Sequence, residues 1–498
     1  MKTSTQEVPF YRVIIIGGGF AGVGAAIKLK EAGIHDFILL EKAEELGGVW
    51  RENTYPGCAC DVPSALYSYS FEPNPSWSRV FAGQAEIKQY LQNTAQKYQV
   101  LPHVHFQHEA LSANWSDAKQ CWIVKTQQGE FHAQFAIMAC GPMHEPVIPN
   151  IAGLKDFQGE IFHSSRWKHD VDLTGKRVAV VGTGASATQF VPRIQPLAKQ
   201  LTVFQRTPHW VLPKSDISLP SQLQTLFKYV PVTQSVMRAS IYGIFESLNG
   251  GLKNNAAMRP VQRVAEHHLQ KSIQDPQLRR QLTPNYVIGC KRILQSNEWY
   301  PALAQNNVTL LSSALAEVKG KQLISSEGDI VEADVIILGT GFEVAEPPIA
   351  KRVFNRHGKS VSDVWQGSPE GYMGTMVEDC PNGFLMFGPN IGVSSSAFII
   401  IEAQMTYIID ALRQAIQQNI KTIEPNPVRI SEFNQRVDEA LKTTVWNKGG
   451  CQSYFIDRNG RNSTLWPWTT FKMRQQLSRF NLDEYLLDRQ VEKPVEMA

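Results

Sequence analysis

Two glycine-rich turns, each set between an apolar run and a helix-forming stretch, constrain this chain more than any other feature. They are RVIIIGGGFAGVGAA, residues 12–26, and KRVAVVGTGASATQF, residues 176–190. Each apolar run is short and lacks polar alternation, as expected for a strand buried on both faces of a parallel sheet. After each helix a second apolar strand follows, DFILLE at 36–41 and LTVFQR at 201–206. Two such strand–turn–helix–strand units predict an α/β fold with two Rossmann-like dinucleotide-binding domains.

In the first turn Gly17, Gly19 and Gly22 form G-x-G-x-x-G. The first glycine permits the tight turn, the second lets a pyrophosphate approach the backbone, and the third lets helix and strand pack closely. The helix N-terminus then faces the negative charge. Glu41 ends the next strand, nineteen residues beyond Gly22. A carboxylate there binds ribose hydroxyls and repels a 2′-phosphate, which favours FAD or NAD. In the second turn Gly182, Gly184 and Ala187 fit G-x-G-x-x-A, and Gly182, Thr183, Gly184, Ala185 and Ser186 are the expected cofactor contacts. No acidic residue ends its second strand; Arg206 stands where the first unit has Glu41. A guanidinium pairs bidentately with phosphate, which favours NADP. A solvated surface charge is the other reading of Arg206. Two dinucleotide units in one chain point to a flavoprotein that takes hydride from NADPH.

Between the units, HVHFQHEALSANW, CWIVKTQQG and EFHAQFAIMACGP read as antiparallel strands returning to an apolar one. LISSEGDIVEADVIILGTGFE repeats that ending after the second unit. The stretch 212–285 is rich in Gln, Leu and Lys, has helical periodicity and no glycine-rich turn, and reads as an insertion. The expected layout is an FAD-binding domain in two parts, 1–148 and 343–498. An NADP-binding domain, also in two parts, 149–211 and 286–342, carries the helical insertion 212–285.

The 498 residues are enough for two or three domains. A formal net charge of +3 is too small to invoke nucleic acid or an anionic membrane. The first twelve residues show no apolar signal region, and SAFIIIEAQMTYIIDAL is broken by Glu402, Gln404 and Asp410. That stretch reads as a buried helix and not a membrane span. The seven cysteines are scattered without a C-x-x-C pair. Neither a disulfide framework nor a zinc site is expected, and a reduced cytoplasm fits best. Cys58 and Cys60 have one residue between them, so a bond joining them would close a very small, strained ring. They read as structural thiols and not as the redox pair of a disulfide reductase.

The other acceptor for flavin electrons is dioxygen, and here the chain resembles the Baeyer–Villiger monooxygenases. In GGVWRENTYPGCACD, Gly47, Gly48, Trp50, Tyr55, Pro56, Gly57 and Asp61 match the family's [A/G]-G-x-W-x4-[F/Y]-P-[G/M]-x3-D segment. In FQGEIFHSSRW, Phe157, Gly159, His163 and Trp167 match F-x-G-x3-H-x3-W, while Lys168 departs from the usual Pro or Asp that follows. The likeness continues through VFQRTPHW, CKR, GTGF and CPNGFLMFGPN.

The resemblance implies an NADPH- and dioxygen-dependent flavoprotein that converts ketones to esters or lactones through a C4a-peroxyflavin, with sulfoxidation alongside. It implies that Arg292 is the cation near the flavin, with Asp61 as its carboxylate partner. Lys291 would join Arg206 and Thr207 on the NADP 2′-phosphate. Val49, Trp50, Tyr67 and Ala110 would line the FAD. Tyr454 stands where relatives often carry Trp. His163 and Trp167 read as a domain-coupling turn, the Trp packing and the His bonding backbone. Two alternatives stay open here: a flavin-containing N- or S-monooxygenase, and a nucleotide-binding redox sensor. The substrate is expected to be a small molecule; spacing alone selects neither the ketone nor an oligomeric state.

Overall fold

The computed structural model describes residues 8–489; the segment read above for a signal region lies partly outside them, at 1–7. Two sheets organise the chain. In the first, the strands run 353–354, 112–116, 121–125, 130–138, 10–16, 37–40, 104–105 in spatial order. The glycine-turn strand Phe10–Ile16 is central and parallel to both neighbours, pairing Ile14 with Ile38 on one side and with Ala136 on the other. Its side chains alternate between two cores. Val13 and Ile15 face one, Ile14 and Ile16 the other, and all are almost wholly buried. That double burial is why the run carries no polar alternation.

The strand Glu130–Met138 changes partner along its length. Its first half pairs antiparallel with Cys121–Lys125, its second half parallel with Gly383–Leu385. Two strands from the C-terminal tail, 353–354 and 383–385, therefore complete the first sheet. The helix Ala397–Gln417 packs against Phe20–Glu31. Its Gln404 is buried and satisfied: the amide donates to the Gly374 carbonyl at 2.8 Å, and its oxygen accepts from the Phe387 N–H at 2.9 Å. A membrane gives no such partners, and among the described residues no helix is long and apolar enough to cross one.

The second sheet is wholly parallel, in the order 308–311, 200–204, 177–181, 335–338, 160–163. Helices Ser221–Tyr229, Pro231–Gly251, Arg259–Ser272 and Pro276–Leu282 fill the stretch read as an insertion. A hairpin, Gln322–Ser325 with Ile330–Glu332, precedes the strand Val335–Leu338 as the sequence predicted.

One local expectation changes. The FQGEIFHSSRW segment is more than a linker turn: Glu160–His163 is an edge strand of the second sheet, pairing His163 with Leu338. A single 3-10 turn, Ser164–Arg166, follows. The strand escaped notice because Glu160, Ile161, Phe162 and His163 are too few to show a period.

Candidate functional site

Both glycine-rich turns open onto one cleft of 1430 Å³. The residues that reach it follow the C-terminal ends of parallel strands: Gly17, Glu41, Ala139, Gly182, Arg206 and Gly339. This is where an open α/β sheet leaves space beside its crossover connections. Gly17 has φ of 111°, and a Cβ there would lie 2.7 Å from the Ala139 carbonyl. At Gly22 a Cβ would lie 1.9 Å from the Gly17 carbonyl, so helix and strand meet with no room for a side chain. Around Gly19 the nearest atom to a Cβ would be the Gly48 Cα at 3.6 Å. The helix Phe20–Glu31 has neither a side-chain cap nor an acidic residue in its first turn. Its leading N–H groups are left for an anion.

Glu41 is 4% exposed at the end of the strand Phe37–Leu40. One oxygen accepts from the Gly18 N–H at 2.7 Å; the other accepts from the Ala43 N–H and from Arg51, both at 2.8 Å. Val49, Trp50, Tyr67 and Ala110 line the same end of the cleft. The Trp50 indole donates to the Tyr67 hydroxyl at 3.0 Å and meets its ring edge-on. Burial pushes the Tyr67 phenol well up, so it stays protonated.

At the second turn Gly182 has φ of 105°, and its Cβ would lie 2.4 Å from the Gly339 carbonyl. Gly184 has nothing within 4 Å of an added Cβ. Thr183, Ala185, Ser186, Arg206 and Thr207 line the cleft here, as does Lys291, which arrives from the other side of the insertion. Burial and then the nearby Arg206 cation push the Lys291 ammonium down. Arg206 and Lys291 thus face one space as like charges, a setting that suits an anion. His209, also beside Lys291, is held down to about 4 by burial, and its Nδ1 is buried without a hydrogen-bond partner.

Between the two turns lies a charged pair. Arg292 donates from Nε to Asp61 at 2.8 Å and from a terminal nitrogen to the other Asp61 oxygen at 2.7 Å. This is the bidentate fork of a guanidinium on a carboxylate. The Asp61 charge raises the Arg292 guanidinium further, against its burial, so it stays charged. Tyr454 lies beside Arg292; burial pushes its phenol up while the guanidinium pulls the other way. Every residue expected to touch a cofactor lines this cleft except Gly22, whose place is in the helix–strand contact.

His163 and Trp167 do not line it. Trp167 packs on Phe162 and Phe190. His163 is 3% exposed, and its Nδ1 accepts from the Ser165 N–H at 3.1 Å. Burial and then Arg166 push it down to about 4, so it is a neutral side chain. Cys58 and Cys60 are free thiols, pushed up by burial, to about 12 for Cys58. Neither is a ready nucleophile.

Three features carried no sequence signal. Gln189 joins the glycine-turn helix Ala185–Ile194 to the YPGCACD segment: it accepts from the Tyr55 hydroxyl at 3.0 Å and donates to the Ala59 carbonyl at 3.0 Å. Arg51 and Glu52 continue the charge chain from Glu41, and Glu52 meets Arg166 at 3.4 Å. Cys290 and Cys451 are bonded. The expectation was that no disulfide framework forms; this single bond was not foreseen. The partners are 161 residues apart, and no spacing pattern links positions so distant.

A family model described as pyridine nucleotide-disulphide oxidoreductase matches residues 14–237. The chain is 44% identical over 488 residues to a Streptomyces coelicolor protein named Baeyer-Villiger monooxygenase, covering 97% of this chain and 94% of that one. A Pseudomonas aeruginosa protein of the same name is 40% identical over 495 residues, covering 98% and 94%. The solved structure of an oxidised steroid monooxygenase bound to NADP matches with a TM-score of 0.86 at 26% identity, covering 97% of this chain and all of that one.

Proposed function

The chain belongs to the Baeyer–Villiger monooxygenases, FAD-containing and NADPH-dependent enzymes, and we propose that it converts a small ketone to an ester or lactone with Arg292 and Asp61 as the charged pair beside the reacting carbonyl. One observation carries this reading: the bidentate Arg292–Asp61 pair faces the cleft that both glycine-rich turns share.

The residues present fit both cofactors. In this reading 1–148 and 343–498 hold FAD, 149–211 and 286–342 hold NADPH, and 212–285 is a helical insertion. Gly17, Gly19 and the uncapped helix behind them suit a pyrophosphate, and Glu41 suits a ribose hydroxyl because the oxygen that accepts from Gly18 retains a lone pair. Val49, Trp50, Tyr67 and Ala110 wall the flavin side. Gly182 to Ser186 suit the second pyrophosphate, and Arg206, Thr207 and Lys291 its 2′-phosphate. The two cations Arg206 and Lys291 there support NADPH over NADH.

The flavin, when bound and reduced by NADPH, supplies oxygen activated from dioxygen. Everything else falls to the chain. Arg292 offers a permanent positive charge where negative charge develops on the ketone oxygen, and it stabilises that charge most in a site closed to water. Asp61 fixes the guanidinium plane, so little reorganisation is needed at the moment of reaction. The raised Arg292 and Tyr454 keep their protons, so neither serves as a general base. Sulfides fit the same oxygen-donating chemistry as second substrates. The five free cysteines fit a cytoplasmic setting, to which the Cys290–Cys451 bond is the exception.

Arg292→Ala tests the reading. The variant is expected to retain FAD, to be reduced by NADPH without air, and to make hydrogen peroxide but no ester. Ester formation at the parental rate would overturn the role of Arg292. Sulfide oxidation by the parent with no ester from any ketone would instead favour an N- or S-monooxygenase.

A further inference from the structure

We propose that Cys290 and Cys451 are an oxidation site for hydrogen peroxide, and that the bond between them clamps the Tyr454 segment to the Arg292 loop and so raises the yield of oxygenated product per NADPH. The inference rests on the reading of Arg292 given above.

The bond joins two segments that both serve the cleft. Cys290 is fully buried and immediately precedes Lys291 and Arg292. Cys451 is half-buried, lines the cleft, and stands three residues before Tyr454. Few other ties hold that second segment. From Cys451 to Ile456 the backbone hydrogen bonds stay within the segment: Phe455 N–H to the Ser453 hydroxyl and Ile456 N–H to the Ser453 carbonyl. Gly450 before it has φ of 82° and open space around an added Cβ. The chain is anchored just upstream, where the Val287 N–H donates to the Gly449 carbonyl at 2.9 Å. Downstream, Arg461 binds Asp438, Asn434 and Asn390. Asn459 donates to the Gln366 carbonyl and the Ser368 hydroxyl, both at 3.0 Å, and upstream of it the Phe455 side chain and the Cys290 bond hold the segment in place. Tyr454, 40% exposed toward the cleft, sits on this span beside Arg292.

The oxidant arises in the same cleft. A turnover that transfers no oxygen to substrate passes the two electrons of NADPH to dioxygen: NADPH, a proton and O2 give NADP+ and H2O2. The Cys451 thiolate attacks one peroxide oxygen and becomes a sulfenic acid, and the other oxygen leaves as water. The Cys290 thiol then attacks that sulfur, the S–S bond forms, and the second oxygen leaves as water. Two thiols are oxidised by two electrons and one peroxide is reduced to two waters. Leaking turnover thus tightens the site that leaks. The buried, raised thiols Cys58 and Cys60 are poor competitors for the same peroxide.

The test uses the FAD-loaded enzyme, reduced with dithiothreitol and freed of it. NADPH and air without ketone are expected to restore the Cys290–Cys451 bond, read by alkylation and mass spectrometry, and catalase is expected to prevent it. Peroxide released per NADPH with ketone present is expected to be several-fold higher in the reduced enzyme and in Cys451→Ser than in the oxidised enzyme. Dithiothreitol is expected to change nothing further in Cys451→Ser. Equal flavin content and equal anaerobic bleaching by NADPH show that the variant is folded. The proposal fails if peroxide does not form the bond, or if oxidised and reduced enzymes release equal peroxide. Loss of the Arg292 reading appears separately, as ester formation by Arg292→Ala.

Discussion

At the scale of single residues, charge decides what each side chain can do. Arg206 follows its strand with a cation where Glu41 follows the other with an anion, and both line the cleft; the proposed reading of the two nucleotide sites turns on that difference. Arg206→Ala is expected to raise KM for NADPH about ten- to a hundredfold, since a charge-assisted phosphate contact is worth about 1.5–3 kcal/mol. KM for NADH, which lacks the 2′-phosphate, should change little; steady-state kinetics with both cofactors checks this. His163 illustrates the opposite case, a titratable group kept neutral. Folded, it binds a proton only near pH 4; unfolded, near 6.5. The unfolded chain therefore holds more protons between these values. Stability is full above about pH 6.5 and falls by up to about 3 kcal/mol as pH drops toward 4. His163→Asn removes that titration, so its melting temperature should fall less steeply than the parent's between pH 6.5 and 4. Parallel pH profiles would refute the assignment.

At the scale of elements, the two glycine turns separate packing from binding. Gly22 is required by the fold: a Cβ would meet the Gly17 carbonyl at 1.9 Å, and rigid backbone has no way to yield. Gly22→Ala is expected to yield protein that has lost its FAD, measured by flavin absorbance after gel filtration. Packing does not require Gly184, because an added Cβ meets nothing within 4 Å; in the proposed reading the second pyrophosphate approaches there. Gly184→Ala should keep its flavin and its melting temperature while KM for NADPH rises. Both turns, the strands before them and Glu41 were legible in the sequence, because steric need for glycine and burial on two faces leave a local trace. The strand Glu160–His163 was not, since its four residues acquire their partner only when Val335–Leu338 arrives from far along the chain.

At the scale of the whole molecule, the site exists only where separated segments meet. Gln189 links the second glycine-turn helix to Tyr55 and Ala59. Gln189→Leu strands those polar groups while leaving both nucleotide turns intact. Flavin content and NADP affinity should hold, while stopped-flow flavin reduction by NADPH slows about tenfold, the scale of a small misplacement between reacting groups. Unchanged reduction would show that this joint does not set the approach. The sequence alone determined the α/β fold, the two dinucleotide turns, the sign of the charge at each strand end and the two family segments. Each of these is a pattern within a few tens of residues, enforced by local sterics and burial. The Asp61–Arg292 pairing was implied by the family resemblance, but only the tertiary structure gave it its bidentate geometry, set Tyr454 beside it and joined Cys290 to Cys451. Those contacts span 161 to 231 residues of chain. They are decided by how two sheets and an insertion pack together, which no local spacing encodes.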